Sequence, residues 1–249
     1  NLSLILNSNL KEVIFSLLML VSFFSIFLTY NIIFLKNKNL NFFQEDIYLF
    51  FYLISLIIIF FSFLNFDYDF SLLLFSLTSS ISNIGFSLEN SPKNLSFIYL
   101  ILVIIGGSFF STSSGIRFFK LYVLFKFSLN NLISHVRPIN VSNNKELFSE
   151  ISLDKLIINK YFLSVIVFII SMLFLSSFLT FFGISFENSF KISILTLMNT
   201  VNSSLYGIED FNFQNLEFII KYFMIIFMII GRVELLTILI ILKKFLFKN

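Results

Sequence analysis

The segment Thr78-Ser-Ser-Ile-Ser-Asn-Ile-Gly-Phe86 sets small polar residues and a glycine directly after a short apolar run, Phe70–Ile81. A short helix ending in such residues can turn backbone carbonyls toward an axis, where they replace the water around a cation. Ser82, Asn83, Ile84 and Gly85 are the candidate ligating residues. Gly85 supplies the backbone freedom the turn needs, and the side chains of Ser82 and Asn83 offer further oxygens. Taken alone, the segment also reads as an ordinary external turn.

Its repetition favours the filter reading. Thr196-Leu-Met-Asn-Thr-Val-Asn-Ser-Ser204 follows a second short apolar run, Phe186–Met198. Without gaps, Asn199 matches Asn83 and Val201 matches Gly85, with Thr200 between them. A β-branched residue resists the unusual backbone of the first copy. A shifted register would set Ser203 or Ser204 there instead and restores no glycine.

Two further motifs lie inside long apolar runs. Gly106-Gly-Ser-Phe-Phe-Ser-Thr-Ser-Ser-Gly-Ile-Arg117 interrupts one of them. Non-helical backbone at membrane depth persists only where it is buried or lines a watery cavity. A flexible loop gating a pore is therefore favoured over close helix packing through small residues, since three glycines and five Ser or Thr fall within twelve residues. Gly231-Arg-Val-Glu234 lies in the last apolar run. An intramembrane Arg faces a cavity or a partner. Arg232 reads equally well as a positive barrier below the filter and as a structural ion-pair member. Glu234 is a poor mate for it, since residues two apart point to different sides of a helix.

Enzymatic chemistry is not expected. No paired catalytic carboxylates or nucleophile–base set appears, the chain has no Cys, and the single His135 builds no metal site alone. The chain carries no cofactor signature and no nucleic-acid-binding motif.

The elements that must hold these motifs are membrane helices. Of 249 residues, 12% are charged and 57% hydrophobic, and mean hydropathy is +0.94. That is too little charge to coat a water-facing surface. Five apolar runs, at about 11–35, 46–64, 95–129, 157–182 and 214–242, have the length that crosses a bilayer. Twelve of the seventeen basic residues fall on one side if the runs alternate, and that side is cytoplasmic. The two short runs then enter from outside, where Asp67, Asp69, Glu89, Glu187, Glu209 and Asp210 gather. The fold class is all-α integral membrane, with tandem helix–pore-helix–filter–helix units. The expected boundaries are 1–43 for the end of a preceding unit (a helix and a cytoplasmic turn) and 44–130 for one pore unit. A cytoplasmic linker follows at 131–156 and another pore unit at 157–249. The start at Asn1 reads as that of a fragment or of a product missing its front half.

In order and spacing these motifs resemble the Trk/Ktr family of potassium-uptake proteins. Ser82–Phe86 resembles the family's third filter segment. Gly106–Arg117 is similar to its Gly-Gly-x-x-Gly-Ser-Thr-x-Gly-Gly-Ile-Lys gating loop, with Gly106, Gly107, Ser111, Thr112 and Gly115 retained, and the resemblance implies that these form the gate. Gly231-Arg-Val-Glu234 resembles its Gly-Arg-Leu-Glu, whose Arg enters the permeation path, and His135–Pro138 resembles the segment after the loop. The resemblance implies units three and four of a K+-channel-like transporter, with potassium held at the carbonyls of Asn83, Ile84, Asn199 and Thr200. It also implies a multi-pass protein of the bacterial inner membrane, surrounded by lipid. A homodimer is expected, together with the missing N-terminal pore units and a cytoplasmic nucleotide-binding regulatory subunit. Val201 stands where the family has Gly-Pro-Gly. It keeps a sodium-permeable or poorly selective transporter, or a non-conducting membrane scaffold, as alternatives.

Overall fold

In the computed structural model, which describes residues 8–24, 44–63, 69–88, 91–108, 111, 113–136, 155–208 and 213–232, apolar side chains cover the outside and hydroxyls collect inside. Phe97, Phe125, Phe162, Ile170 and Phe218 are exposed, whereas Ser76, Thr78, Ser79, Ser80 and Thr196 are buried. This inversion suits a hydrocarbon solvent, because such a surface in water would associate.

The helices are α1 (Asn9–Phe23), α2 (Gln44–Phe63), α3 (Phe70–Ile81), α4 (Ser96–Ile104), α5 (Phe118–Val136), α6 (Lys155–Phe181), α7 (Phe186–Leu197) and α8 (Phe218–Arg232). Among the described residues, Ile157–Phe181 within α6 is the one stretch long and apolar enough to cross a membrane unaided, and Asp46–Ser62 and Phe70–Ile81 are shorter apolar helices. The expected first span to Leu35 does not run as one helix. It stops at Phe23, Phe24 is extended with ψ 166°, and residues 25–43 lie outside the described set. The third run is broken as the glycines predict. Between α4 and α5 the chain forms only a two-residue parallel ladder, β1 (Ile105–Gly106) with β2 (Ile116–Arg117). Helix α5 continues past residue 130 to Val136, and Arg137 to Asp154 are outside the described set.

The two short helices α3 and α7 start and end 116 positions apart, and each lies between two other helices in the chain. Helix α3 packs on α1 and α4, and α7 on α6, α8 and α4. Nearly all of α3 is buried. Its hydroxyls tolerate this by bonding to carbonyls one turn back: Ser76 to Leu73 at 3.0 Å, Ser80 to Ser76 at 2.8 Å and Ser82 to Thr78 at 2.6 Å. The core that surrounds both short helices joins Phe23, Leu77, Ile81, Tyr99, Leu175, Leu197 and Tyr206. Helix α2 adds ring contacts, Phe60 to Tyr99 at 5.8 Å and Tyr52 to Phe118 at 5.3 Å.

Candidate functional site

Both short helices end in the same hydrogen-bonded turn. At α3 the amide of Asn83 donates to Ser80 O at 3.2 Å and that of Ile84 to Ser79 O at 3.1 Å. At α7 the amide of Asn199 donates to Thr196 O at 3.2 Å and that of Thr200 to Leu195 O at 3.0 Å. Each is a helix stop closed by a left-handed residue. Asn83 has φ 59° and Asn199 φ 53°. Asn occupies this region at less cost than other side chains, because its short amide is accommodated there. The geometry therefore selects the ungapped register, with Val201 in the place of Gly85.

The copies part company at that residue. Gly85 has φ +83°, and its amide turns back to Ser79 O at 3.1 Å. Val201 is not left-handed, and its amide instead reaches Ile84 O at 3.1 Å. A Cβ on Gly85 would strike Val201 O and would lie 2.6 Å from Thr200 Cγ2. Gly85 thus serves two ends, a left-handed backbone and contact with the other turn. Among the described residues, the carbonyls of Asn83, Asn199 and Thr200 accept no hydrogen bond, whereas that of Ile84 already accepts one. Farther out, Ser204 Oγ donates to Ser87 Oγ at 3.1 Å, which ties the two limbs again. Lys191 bonds Glu187 Oε1 at 2.6 Å and Gly207 O at 3.3 Å. The Lys191 hydrogen bond, and then its charge, hold the exposed Glu187 carboxyl below the usual range.

The side chains of the two Asn residues differ. Asn199 Nδ2 donates to Met228 O of α8 at 2.9 Å. Asn83 is buried, and neither its Oδ1 nor its Nδ2 has a partner among the described residues. Helix α8 stands at hydrogen-bond reach of the α7 turn, whereas its counterpart α4 has already ended at Ile104.

Below the turns lies the broken segment. Arg117 Nη1 donates to Ser108 O, Ser111 O and Ser113 O at 3.2, 3.2 and 3.0 Å, and to Ser111 Oγ at 3.0 Å. One guanidinium thus satisfies carbonyls that have no helical partner, as buried backbone requires. Gly107 N donates to Ser113 Oγ at 2.9 Å, and Gly106 packs against Ser114 O. Thr112 of the expected gate set lies outside the described residues, as does Glu234.

Arg232 reaches this segment from the end of α8, with Nη1 donating to Ser114 Oγ at 3.2 Å. Its position depends on its neighbour. Gly231 sits so close to Leu197 O, at the end of α7, that any Cβ would collide with it. A cleft lined by Gly115, Arg117, Lys120, Ser164, Leu197 and Gly231 runs between the broken segment and α7. Two basic side chains, Arg117 and Lys120, line it.

No protein-family model and no curated protein sequence matches the chain. Among solved structures, the chain is similar to the crystal structure of the potassium transporter TrkH from Vibrio parahaemolyticus. The TM-score is 0.74 at 22% sequence identity, over 94% of this chain and 52% of that one. The chain has a Trk-like fold. It spans about half the length of that transporter. The all-α fold class expected from the sequence is thereby shown.

Sequence reasoning placed Ser82–Gly85, Asn199–Val201, Gly106–Gly115 and Arg232 as four separate motifs. The fold brings the first two into direct contact and Arg232 onto the third through Ser114. It also shows groups that sequence did not single out: Ser114, the clamping role of Arg117, the Met228 carbonyl, and the carbonyls of Ser22 and Phe23. A basic residue at the end of a glycine-rich break was a signal for Arg117. Backbone carbonyls leave no trace in residue type.

Proposed function

We propose that the chain forms half of a potassium-translocating membrane subunit. The observation that carries this reading is the pair of helix-stop turns, joined by Val201 N to Ile84 O, in which the carbonyls of Asn83, Asn199 and Thr200 accept no hydrogen bond among the described residues. A dehydrating cation needs such oxygens. Ile84 O contributes its second lone pair. The ion is potassium on the analogy of the transporter whose fold the chain shares. Arg232 and the segment from Gly106 to Gly115 form the barrier beneath. Two further pore units, supplied by residues N-terminal to this chain, complete the ring, and the assembled subunit works as a homodimer with a cytoplasmic nucleotide-binding regulator. The location is the bacterial inner membrane, crossed several times.

A second reading rests on Val201. The turn after α7 departs from the turn after α3 where Gly85 is left-handed, so the oxygen cage is less regular and admits sodium. Rubidium uptake in cells lacking their own potassium uptake, measured with sodium competition, separates the readings. Uptake resistant to sodium supports the potassium pathway. Strong competition supports the permissive one, and no uptake in a correctly inserted protein overturns both in favour of a scaffold.

A further inference from the structure

The amino ends of α3 and α7 repeat at the same spacing of 116 positions as their turns. The limb that follows each turn closes on a matching bond, Ser91 N to Leu88 O and Gly207 N to Ser204 O, both at 3.0 Å. Ser71, Phe75 and Ser91 of the first copy therefore stand where Glu187, Lys191 and Gly207 stand in the second. In the second copy the Lys191 ammonium joins helix to limb, donating to Glu187 Oε1 at 2.6 Å and to Gly207 O at 3.3 Å. A cation is thus part of that end. In the first copy Phe75 takes the place of the lysine and brings no charge.

A carboxylate comes to this end from α1, which packs along α3. Met19 Sδ accepts from Thr78 Oγ1 at 4.0 Å, and Met19 clusters with Phe75, whereas Phe23, one turn on, clusters with Leu77 and Ile81. The two helices therefore run the same way. Glu12 and Ser71 each precede the Met19–Thr78 contact by seven positions, about two helical turns, and so come level. The limb runs back along α3, with Ser79 Oγ donating to Phe86 O at 2.8 Å and Leu88 on Phe75, and Ser91 continues it toward Ser71. Glu12, Ser71 and Ser91 are 9%, 5% and 6% exposed. Glu12 Oε2, Ser71 Oγ and Ser91 Oγ have no hydrogen-bond partner among the described residues, and Glu12 has no ion pair among them. The adjacent Lys11 is exposed. A buried carboxylate needs a counter-charge, and oxygens that do not bond one another leave room for one.

We propose that Glu12, Ser71 and Ser91 form a binding site for one monovalent alkali cation, which does in the first copy what the Lys191 ammonium does in the second. One carboxylate neutralises one such ion, and two hydroxyls add neutral oxygens. A calcium ion, which takes about 6–8 oxygens, is under-served. The site lies at the opposite end of α3 from the Asn83 turn. An ion seated there ties α1 to α3 and to the limb. The site goes beyond the transport reading and stands without it, because a ligand of the folded state stabilises whether or not ions pass.

The test is the thermal unfolding midpoint of the full chain in detergent. Choline chloride is replaced stepwise by sodium chloride or rubidium chloride at constant ionic strength. The expected result is a saturable rise in midpoint with at least one alkali ion, and loss of that rise in Glu12→Gln. In choline the midpoint of Glu12→Gln should equal or exceed that of the parent, because the unpaired charge is gone. A rise of equal size and half-saturation in parent and variant assigns the ion to the turns at Asn83 and Asn199 and overturns the site. No rise with either ion also overturns it and leaves Glu12 as a protonated carboxyl. The double variant Ser71→Ala with Ser91→Ala keeps the carboxylate and gives a second reading if Glu12→Gln does not fold. It should raise the half-saturating concentration about tenfold, the change that about 1.4 kcal/mol of binding produces. An unchanged concentration would remove both hydroxyls from the site.

Discussion

The amide of Val201 donates to the carbonyl of Ile84, and so the turn that ends α7 leans on the turn that ends α3. In the first copy the matching amide, that of Gly85, folds back onto its own helix. A single residue difference redirects one backbone bond from within a copy to between copies. The physical cause is the left-handed φ that Gly85 accepts and a β-branched side chain resists.

Gly85→Ala should therefore damage both turns. The left-handed strain costs about 1–3 kcal/mol, and the new methyl meets Val201 O and Thr200 Cγ2. Rubidium uptake should fall while membrane insertion persists. Full activity would remove the Ser82–Gly85 turn from the permeation path.

The paired Asn residues give a sharper contrast. At Asn83 the backbone matters and the side chain has no partner among the described residues, so Asn83→Gly should be tolerated. Asn83→Ala should lose about 1–2 kcal/mol to the left-handed backbone. At Asn199 the side chain also holds Met228 O, so Asn199→Gly should lose about 0.5–1.5 kcal/mol, the net worth of a hydrogen bond. Thermal unfolding midpoints in detergent check the order. Equal midpoints for Asn83→Gly and Asn199→Gly would deny the asymmetry.

Arg232→Ala removes the positive group that bonds Ser114. Cation flux should rise, because a charge that repels the ion is gone and the segment loses one of its two anchors. Ser114→Ala should raise flux less, since the charge remains. If Arg232→Ala inserts normally and flux is unchanged, the arginine is a structural member only.

Gly231→Ala should destabilise the contact of α8 with α7. The added methyl collides with Leu197 O, and overpacking of this kind costs about 1–3 kcal/mol. The same variant should loosen Arg232 from Ser114 and mimic part of its loss. A midpoint equal to that of the parent would show that α8 moves away without cost.

Residue type and spacing fixed several things without help. The apolar runs with few charges required membrane helices, because backbone polar groups in hydrocarbon must pair within the segment. The short run Phe70–Ile81 is a helix with those bounds, and Phe186–Leu197 repeats it. The break at Gly106–Gly115 was legible because three glycines cannot sustain a helix cheaply. The ungapped pairing of Asn83 with Asn199 was visible as one of two registers, and only the matched left-handed turns chose between them. What the tertiary structure decided lies mostly in the backbone. That Ile84 receives Val201, that Met228 receives Asn199, and that α1 stops at Phe23 because the broken segment takes its last carbonyls are facts about main-chain atoms common to every residue. A sequence specifies which side chain stands at a position. Which main-chain carbonyl stands opposite which donor depends on contacts across 29 to 117 positions of chain, and only the packed fold sets those.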